Sequence, residues 1–461
     1  MEIIKDEKIK KIIEKLRGCI RLTRYNGKVY LVGEAVTNSI LDEPIKNLEI
    51  VVDSENGGNI LANIFAAKEK CFGLGKNPLM STKEGTAKVW LTNDLELKNI
   101  TITFVEPHKC KYNSLYKCYG TLEEDSKRRE LTINSLYWNI TDEKIHTFNC
   151  GINDMTTQTL RTMEPDVVFM EEPIKMLQVI RHSAELGWGI EKNTWLSIIR
   201  NSHFIKTEGQ EKVSNEFAKI LVSNNASYGI RKLKYCGLLK WIVPDVQDLN
   251  MAYESRKPMV TAFDHTMRVL DEVQPNIESR LAALFHDIGS VVTEGYKKNM
   301  SKDMFSAEIA RGDIEDMKFS TDIAKAVETA IRYHRVFGIY SDGVMPPDKK
   351  IRKFVSLCGE NLGVTMDLMN ANNLHCTYGK KKRQAFDILN RIEELEEIEE
   401  EKNVKLPVSG SDIIKHLKLK KGGPIVGIVL EKIKEAFFEN PNMTKEECLE
   451  LAVNECKVLA V

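Results

Sequence analysis

No Cys-x-x-Cys pair occurs anywhere in the 461 residues, although ten cysteines are scattered through them. Closely paired cysteines are the usual mark of a zinc or redox motif, so no zinc site is expected. The thiols read as reduced, as they are in the cytosol. Long apolar runs are missing too: none approaches the roughly 18–20 residues that a membrane span needs. The opening MEIIKDEKIKKIIEKLRGCI alternates charge with apolar residues and lacks the apolar stretch of a secretory signal. These absences together lead to the expectation of a cytoplasmic protein with no membrane partner. Charge of one sign is also lacking. Lys plus Arg number 66 and Asp plus Glu 67, a net charge of −1, so any surface for nucleic acid has to be a local patch. Hydrophobic residues make up 42% and charged residues 29%. That composition excludes a disordered, collagen-like or fibrous chain, and at roughly 100–200 residues per domain the length suggests three or four domains.

Residues 1–20 carry apolar side chains at helical spacing, with Ile3, Ile4, Ile9, Ile12, Ile13 and Leu16 on one face. The period then changes. VYLVG (29–33), NLEIVVD (47–53), AKVWLT (87–92), ITITFV (100–105) and LYWNI (136–140) are short, β-branched and bounded by turn residues, so they predict strands. A short helix fits between 34 and 46, which makes the first 150 residues a mixed α/β unit. Beyond about 165 the helical period dominates, as in 171–187, 193–204, 212–222, 262–274, 278–289 and 321–335. Pro244 and Pro258 bracket one junction, and the loop with Gly343, Pro346 and Pro347 makes another. The run at 393–401 reads as a solvated acidic helix face, and KKKR (380–383) as a local basic cluster.

Three segments carry chemistry in the first unit: 29–52, the strand pair ending ITITFVEP (100–107), and TLEEDSKRRELTINSLYWNI (121–140). A Gly after a strand lets backbone N–H groups approach a phosphate, and Gly33 fits that place. Carboxylates two residues apart on a strand point to one face. With a third from a neighbouring strand they hold two metal ions that align a 3′ hydroxyl with an α-phosphate. In order and spacing these segments resemble the class II tRNA nucleotidyltransferase and bacterial poly(A) polymerase family. The resemblance implies a Gly-Gly-x-Val-Arg-Asp turn, which reads Gly33, Glu34, Ala35, Val36, Thr37, Asn38 here. It also implies an Asp-x-Asp pair, which reads Asn47, Leu48, Glu49, and a third acid that falls near Thr101. Thr37 cannot pair with phosphate as the family's Arg does, Asn47 is a weak divalent-metal ligand, and Glu34 would repel a triphosphate. The Arg-Arg block is better kept, as Arg128, Arg129, Glu130, Thr132, Ile133 and Asn134, and the resemblance makes Arg128, Arg129, Glu130 and Asn134 nucleotide-binding residues.

EEPIKMLQVIRHSAELGW (171–188) resembles the family's neck helix, whose Asp and Arg read the base edge. Their places are held by Glu172 and Lys175, with Gln178 at a further Arg position and Arg181 retained. Lys lacks the planar fork that reads an edge in two places. FDHTMRVLDEV (263–273), LAALFHDIGS (281–290) and AIRYH (330–334) resemble the HD superfamily, in which His, His-Asp and a later Asp bind a divalent metal. His265, His286 and Asp287 match, while the later Asp falls at Asn372 with Asp367 nearby, Ser290 follows Gly289, and an extra His near 307 is absent. In the tail, Asp412 or Ser411 caps a helix. The turn at 422–427 with Lys415, Lys418, Lys420 and Lys421 suits the phosphates of an RNA stem.

The expected architecture is therefore α+β: a mixed nucleotidyltransferase head of the polymerase β-like kind over 1–148, then all-α neck (149–245), HD-like body (246–390) and tail (391–461). The resemblance implies CMP and AMP addition to RNA 3′ ends from CTP and ATP with Mg²⁺, on a partner RNA of the tRNA class. The substitutions point to weak or lost polymerisation, with Mg²⁺ weak or absent in the head. Two alternatives stand beside this. One is an active CCA- or poly(A)-adding enzyme using Glu49 with Asp53 or Glu106. The other is an HD-type metal-dependent phosphohydrolase at His265, His286 and Asp287.

Overall fold

A computed structural model describes residues 3–21, 23–69, 78–81, 85–92, 94–109, 118–249, 261–290, 300–340, 343–375, 383–403, 406–417, 424–439 and 443–459. Pro258, Lys380 to Lys382, Lys418, Lys420, Lys421 and the glycines at 422 and 423 lie outside the described residues, so the tail's basic turn and most of the basic cluster are not placed. The chain divides into two compact units, one of residues 1–339 and 358–382, the other of residues 340–357 and 383–461. Head, neck and most of the expected body thus share one unit.

The head runs α1 (Glu7–Ile20), β1 (Val29–Val32), α2 (Glu34–Leu41), β2 (Asn47–Val52), α3 (Gly57–Lys68), β3 (Leu79–Ser81), β4 (Thr86–Val89), β5 (Thr101–Val105), β6 (His108–Lys109), β7 (Cys118–Tyr119), α4 (Leu122–Arg128), β8 (Tyr137–Asn139) and β9 (Ile145–His146). Seven strands form one mixed sheet in the order β3-β4-β5-β2-β1-β8-β9. β2 and β5 are parallel, and β1 pairs antiparallel with both β2 and β8. β1, at the middle of the sheet, is buried on both faces, which is why it is continuously apolar. Val29, Leu31, Leu48, Ile50, Val52, Ile102 and Phe104 face the larger core under α1 and α3. Tyr30, Val32, Val51 and Val105 face a smaller cluster with Leu122 and Tyr137. Because the strand period is two, Glu49 and Asn47 share the face of Val51, the face on which the cleft described below opens. Gly58 opens α3 against the β5 backbone; a Cβ there would stand 2.8 Å from the Val105 carbonyl carbon, so only glycine allows this approach.

The helical part continues with α5 (Gly151–Thr156), β10 (Thr159–Leu160), α6 (Pro165–Glu171), α7 (Ile174–Leu186), β11 (Gly189–Ile190), α8 (Lys192–Asn201), α9 (Gln210–Leu221), α10 (Ala226–Tyr235), α11 (Leu239–Ile242), α12 (Pro244–Gln247), α13 (Ala262–Glu272), α14 (Ile277–Phe285), α15 (Lys302–Asp316), α16 (Thr321–Tyr333), α17 (Asp348–Cys358) and α18 (Leu362–His375). One apolar core runs through it, from Leu131 and Met176 to Leu368 and Ala371. The helix expected over 171–187 is α7, which starts three residues later: α6 ends at Glu171, and Pro173 caps the start of α7 at Ile174.

The second unit carries α17, whose residues 348–357 belong to it, together with α19 (Gln384–Asn403), α20 (Gly410–His416), α21 (Pro424–Glu439) and α22 (Lys445–Leu459). Its core includes Val408, Ile413, Val429 and Cys448. In the acidic run Glu393, Glu394, Glu396 and Glu397 are exposed while Leu395 is buried, the solvated face expected. The cap of α20 is Ser409, two residues before Ser411 and three before Asp412, the residues expected to cap it. Ser409 accepts from the Asp412 N–H, and the Asp412 carboxylate accepts from the Ser409 N–H at 2.9 Å, a reciprocal capping box.

Candidate functional site

Gly33 follows β1 with φ +76°, a conformation that glycine adopts without steric cost. A Cβ there would meet Glu49 Oε2 at 3.4 Å and an Arg129 guanidinium nitrogen at 3.7 Å, so the turn packs directly on those two side chains. Thr37, one turn into α2, is buried, its hydroxyl 2.7 Å from the Ile133 carbonyl and 2.8 Å from Asn134 Oδ1. It holds the 132–134 turn in place and does not reach the cleft. Asn134 is fully buried as well, bonded to Thr37 and Glu130 and 3.3 Å from His182. It stands behind the cleft, supporting its wall, rather than at a position where it would touch a nucleotide.

The sheet floor sets out the polar residues in rows. Thr101 lies opposite Asn47, and Thr103 lies opposite Glu49. On the far side of β5, Lys88 lies opposite Thr103. Trp90, two residues on, donates its indole N–H to Thr101 Oγ1 at 3.1 Å. Where the resemblance implies a third carboxylate, β5 offers two threonines.

Arg129 is the hub. Its guanidinium donates to Glu49 Oε1 at 2.9 Å, to Asp125 Oδ2 at 3.0 Å and to the Tyr137 hydroxyl at 3.2 Å. Burial alone would push the Asp125 carboxyl up. The Arg129 and Arg128 guanidiniums, with hydrogen bonds from Tyr137 and the His108 N–H, outweigh it and hold the group down at about 2. Arg128 in turn pairs with Glu172 and lies 3.5 Å from Asp125.

The neck closes the other side. Lys175 is buried and donates to the Arg128 carbonyl at 2.6 Å, with Glu172 at 3.2 Å; burial pushes its ammonium below the ordinary lysine value. Arg181 donates to Glu216 and Glu185, each at 2.9 Å, and to Glu34. His182 lies 3.3 Å from the same Glu34. Desolvation opposes ionisation of Glu34, but His182 and Arg181 prevail and hold its carboxyl well below the usual range. Glu34 therefore answers a neck arginine, which explains how a carboxylate is tolerated at this turn.

These groups enclose a cleft of roughly 650 Å³, lined by Gly33, Glu49, Lys88, Arg128, Arg129 and Lys175 among others. That volume lies within the usual range for a small-molecule site. Its donor set falls short of what two divalent cations need. Asn47 is neutral, Glu49 is already paired with a guanidinium, the neighbouring strand contributes hydroxyls, and Lys88 adds positive charge in the same row. Each unit of like charge about 4 Å away costs about 4 kcal/mol at an effective dielectric constant of 20.

A second cluster lies among the helices. One ligand atom from each of His265, His286 and Asp287 falls within 4.8 Å of the others, and all three residues are buried. His286 donates its Nδ1–H to the Ala283 carbonyl, 2.7 Å away, while its Nε2 has no hydrogen-bond partner among the described residues. Three donors thus fit one divalent ion in geometry. The charge around them is less favourable. Arg335 binds Asp287 Oδ1 at 2.8 Å and Asp303 at 3.0 Å. Asn372 Oδ1, 3.1 Å from His265 Nε2, stands where the resemblance implies a carboxylate, and Asp367 accepts instead from the Gln274 N–H. Gly289 presses on α15, where a Cβ would lie 2.7 Å from the Lys302 carbonyl oxygen, so small Ser306 and Ala307 occupy the place of the absent histidine.

Sequence reasoning missed Asp125, His182, Glu216, Lys88, Trp90 and Arg335. Three of these had a signal: Asp125 stands four residues before Arg129 in a helical segment, and Lys88 and Trp90 alternate along the run that predicts a strand.

Comparison with known proteins matches residues 29–161 to the profile described as poly A polymerase head domain. Residues 187–249 match the probable RNA and SrmB-binding site of polymerase A, and residues 263–355 match the HD domain. The chain is 27% identical over 344 residues to a CC-adding tRNA nucleotidyltransferase of Thermus thermophilus, covering 71% of this chain and 76% of that one. It is 26% identical over 331 residues to a multifunctional CCA protein of Neisseria meningitidis, covering 67% and 73%. In fold it is similar to the Bacillus stearothermophilus CCA-adding enzyme in complex with CTP, with a TM-score of 0.58 at 17% identity over 99% of both chains. A Thermotoga maritima CCA-adding enzyme complexed with tRNA gives 0.53 at 19% identity over 98% and 96%. Over residues 29–161, 187–249 and 263–355 the chain matches the class II tRNA nucleotidyltransferase family.

Proposed function

We propose that this chain is a tRNA nucleotidyltransferase-like RNA-binding protein whose addition of CMP or AMP to RNA 3′ ends is weak or lost. The observation that carries this reading is the Glu49–Arg129 pair: the carboxylate left on the family's metal-binding strand is spent on a buried guanidinium. Support for the tRNA partner comes from a relative that is a CC-adding tRNA nucleotidyltransferase, and for CTP, ATP and tRNA as ligands from fold neighbours that are CCA-adding enzymes solved with them. In this reading the head (1–148) takes the nucleotide, and the neck (149–245) and tail (391–461) hold RNA, with the HD-like body (246–390) lying between them in sequence. No helix among the described residues is long and apolar enough to cross a membrane.

Two divalent cations lower a phosphoryl-transfer barrier by several kcal/mol. Their loss is worth a rate factor on the order of 10³. Purified protein given tRNA lacking its 3′ end, labelled CTP or ATP and Mg²⁺ or Mn²⁺ is therefore expected to extend at least about 10³-fold more slowly than an active relative. Ready extension that disappears on Glu49→Ala refutes this and restores the active alternative. That alternative needs Asp53 or Glu106 to join Glu49. Neither lines the cleft: Asp53 accepts from the Tyr119 hydroxyl at 3.1 Å and Glu106 from the Asn56 N–H.

The convergence of His265, His286 and Asp287 favours one further reading, phosphohydrolysis at the helical cluster, where a bound divalent ion would supply an activated water. Against it stands Arg335, whose guanidinium takes one Asp287 oxygen. Phosphate release from 2′,3′-cyclic or mononucleotide substrates is expected to be at background. Turnover abolished by Asp287→Ala would establish the activity.

A further inference from the structure

The cleft carries a cation of its own on the sheet floor, and this has a consequence for what binds there without metal. Lys88, Thr103 and Glu49 form one cross-strand row on the cleft face. Lys88 is exposed, lines the cleft, and is in no ion pair or side-chain hydrogen bond among the described residues. The other cleft cations are engaged. Arg129 holds Glu49 and Asp125, Arg128 holds Glu172, Lys175 holds Glu172 and a carbonyl, Arg181 holds three glutamates and Lys219 holds Glu216. An incoming phosphate meets those cations with their charge already offset by a carboxylate. Lys88 needs no such exchange. Ammonium groups bind phosphate as point charges, with no geometric demand on the approach.

We propose that the head cleft binds the phosphates of a nucleoside triphosphate without a divalent cation, with the Lys88 ammonium supplying the positive charge that a metal ion would otherwise bring. This rests on reading the cleft as a nucleotide site. Gly33 supplies the opening, since nothing larger than hydrogen stands between its backbone and the cleft floor. Thr103 separates Lys88 from Glu49 across the sheet, so this row sets a hydroxyl and no carboxylate directly beside the ammonium. Trp90 lies two residues beyond Lys88 in the cleft lining, its indole fixed by Thr101.

The test is calorimetric titration of ATP, and separately CTP, into the full chain, once with excess Mg²⁺ and once with excess EDTA. Dissociation constants within about threefold of each other are expected, together with a loss of at least about tenfold in EDTA for Lys88→Ala and retention within about threefold for Lys88→Arg. Because Lys88 is exposed, these variants should melt with the parent protein. Binding that vanishes in EDTA, binding indifferent to Lys88→Ala, or no nucleotide binding in either buffer overturns the proposal. The extension assay reads the parent hypothesis separately. Chelator-resistant binding with Mg²⁺-dependent extension keeps Lys88 in this role and removes the loss of polymerisation. Absent extension with strictly Mg²⁺-dependent binding does the reverse.

Discussion

Replacing Arg129 with alanine is expected to lower the stability of the head-containing unit by about 3–5 kcal/mol, the cost of stranding one partner of a buried ion pair. Asp125 is 1% exposed, and Arg129 is its closest charged partner. Without the guanidinium, Asp125 keeps the Tyr137 hydroxyl at 2.6 Å and a 3.5 Å contact to Arg128, which is too little to offset desolvation of a full charge. Lysine at this position recovers less than half, because one ammonium cannot serve Glu49, Asp125 and Tyr137 together. The midpoint of urea unfolding measures this, and a change under 1 kcal/mol would sink the hub assignment.

The same network sets an acid limb. A carboxyl held at about 2 in the fold and near 3.8 in the unfolded chain stabilises the fold above pH 4. That contribution, on the order of 2 kcal/mol, is lost as the pH falls from 4 towards 2. In Arg129→Ala the guanidinium that held the group down is gone, so its part of the stability change between pH 4 and 2 should shrink or reverse sign.

The β-branched runs bounded by turn residues announced β1, β2, β4, β5 and β8, because at least one face of each strand is buried and keeps its apolar residues at strand spacing. α3 was not legible, since it opens on two glycines and its necessity is tertiary: only glycine lets it lie on β5. The cleft was legible as a place but not as a set of roles. Gly33, Glu49, Arg128, Arg129 and Lys175 do line it. What the sequence could not disclose is that its charges answer one another. Arg129 finds Glu49 across 80 residues, and Arg181 finds Glu34 across 147. Pairing at such separations is fixed by packing, not by any local period, so a retained arginine looks like a ligand contact when it is an internal strut. Asn134 is the clearest case: its residue type matches the family motif, yet its burial turns it inward.

Arg181→Ala carries the second large effect, about 3–5 kcal/mol, and its origin differs from that of Arg129. Arg181 lies on α7, and its guanidinium reaches Glu185 on its own helix, Glu216 on α9 and Glu34 at the start of α2. One planar fork thus ties the head turn to two neck helices. Glu216 is buried and would keep only Lys219, whose side chain is half-exposed. Glu34 would keep His182, a partner that is charged only when protonated. The effect should therefore divide between two acids, and a double-mutant cycle separates them. Glu34→Gln with Arg181→Ala should show a coupling of about 0.5–3 kcal/mol, as expected of residues within one network. Additive losses would mean that Arg181 works through Glu216 and Glu185 alone and does not join head to neck. Arg181→Lys discriminates further: a lysine reaches one carboxylate at a time, so it should rescue either the α9 contact or the head contact, not both. If Arg181 instead serves mainly as a ligand for nucleotide, the alanine variant will unfold with the parent and lose only binding.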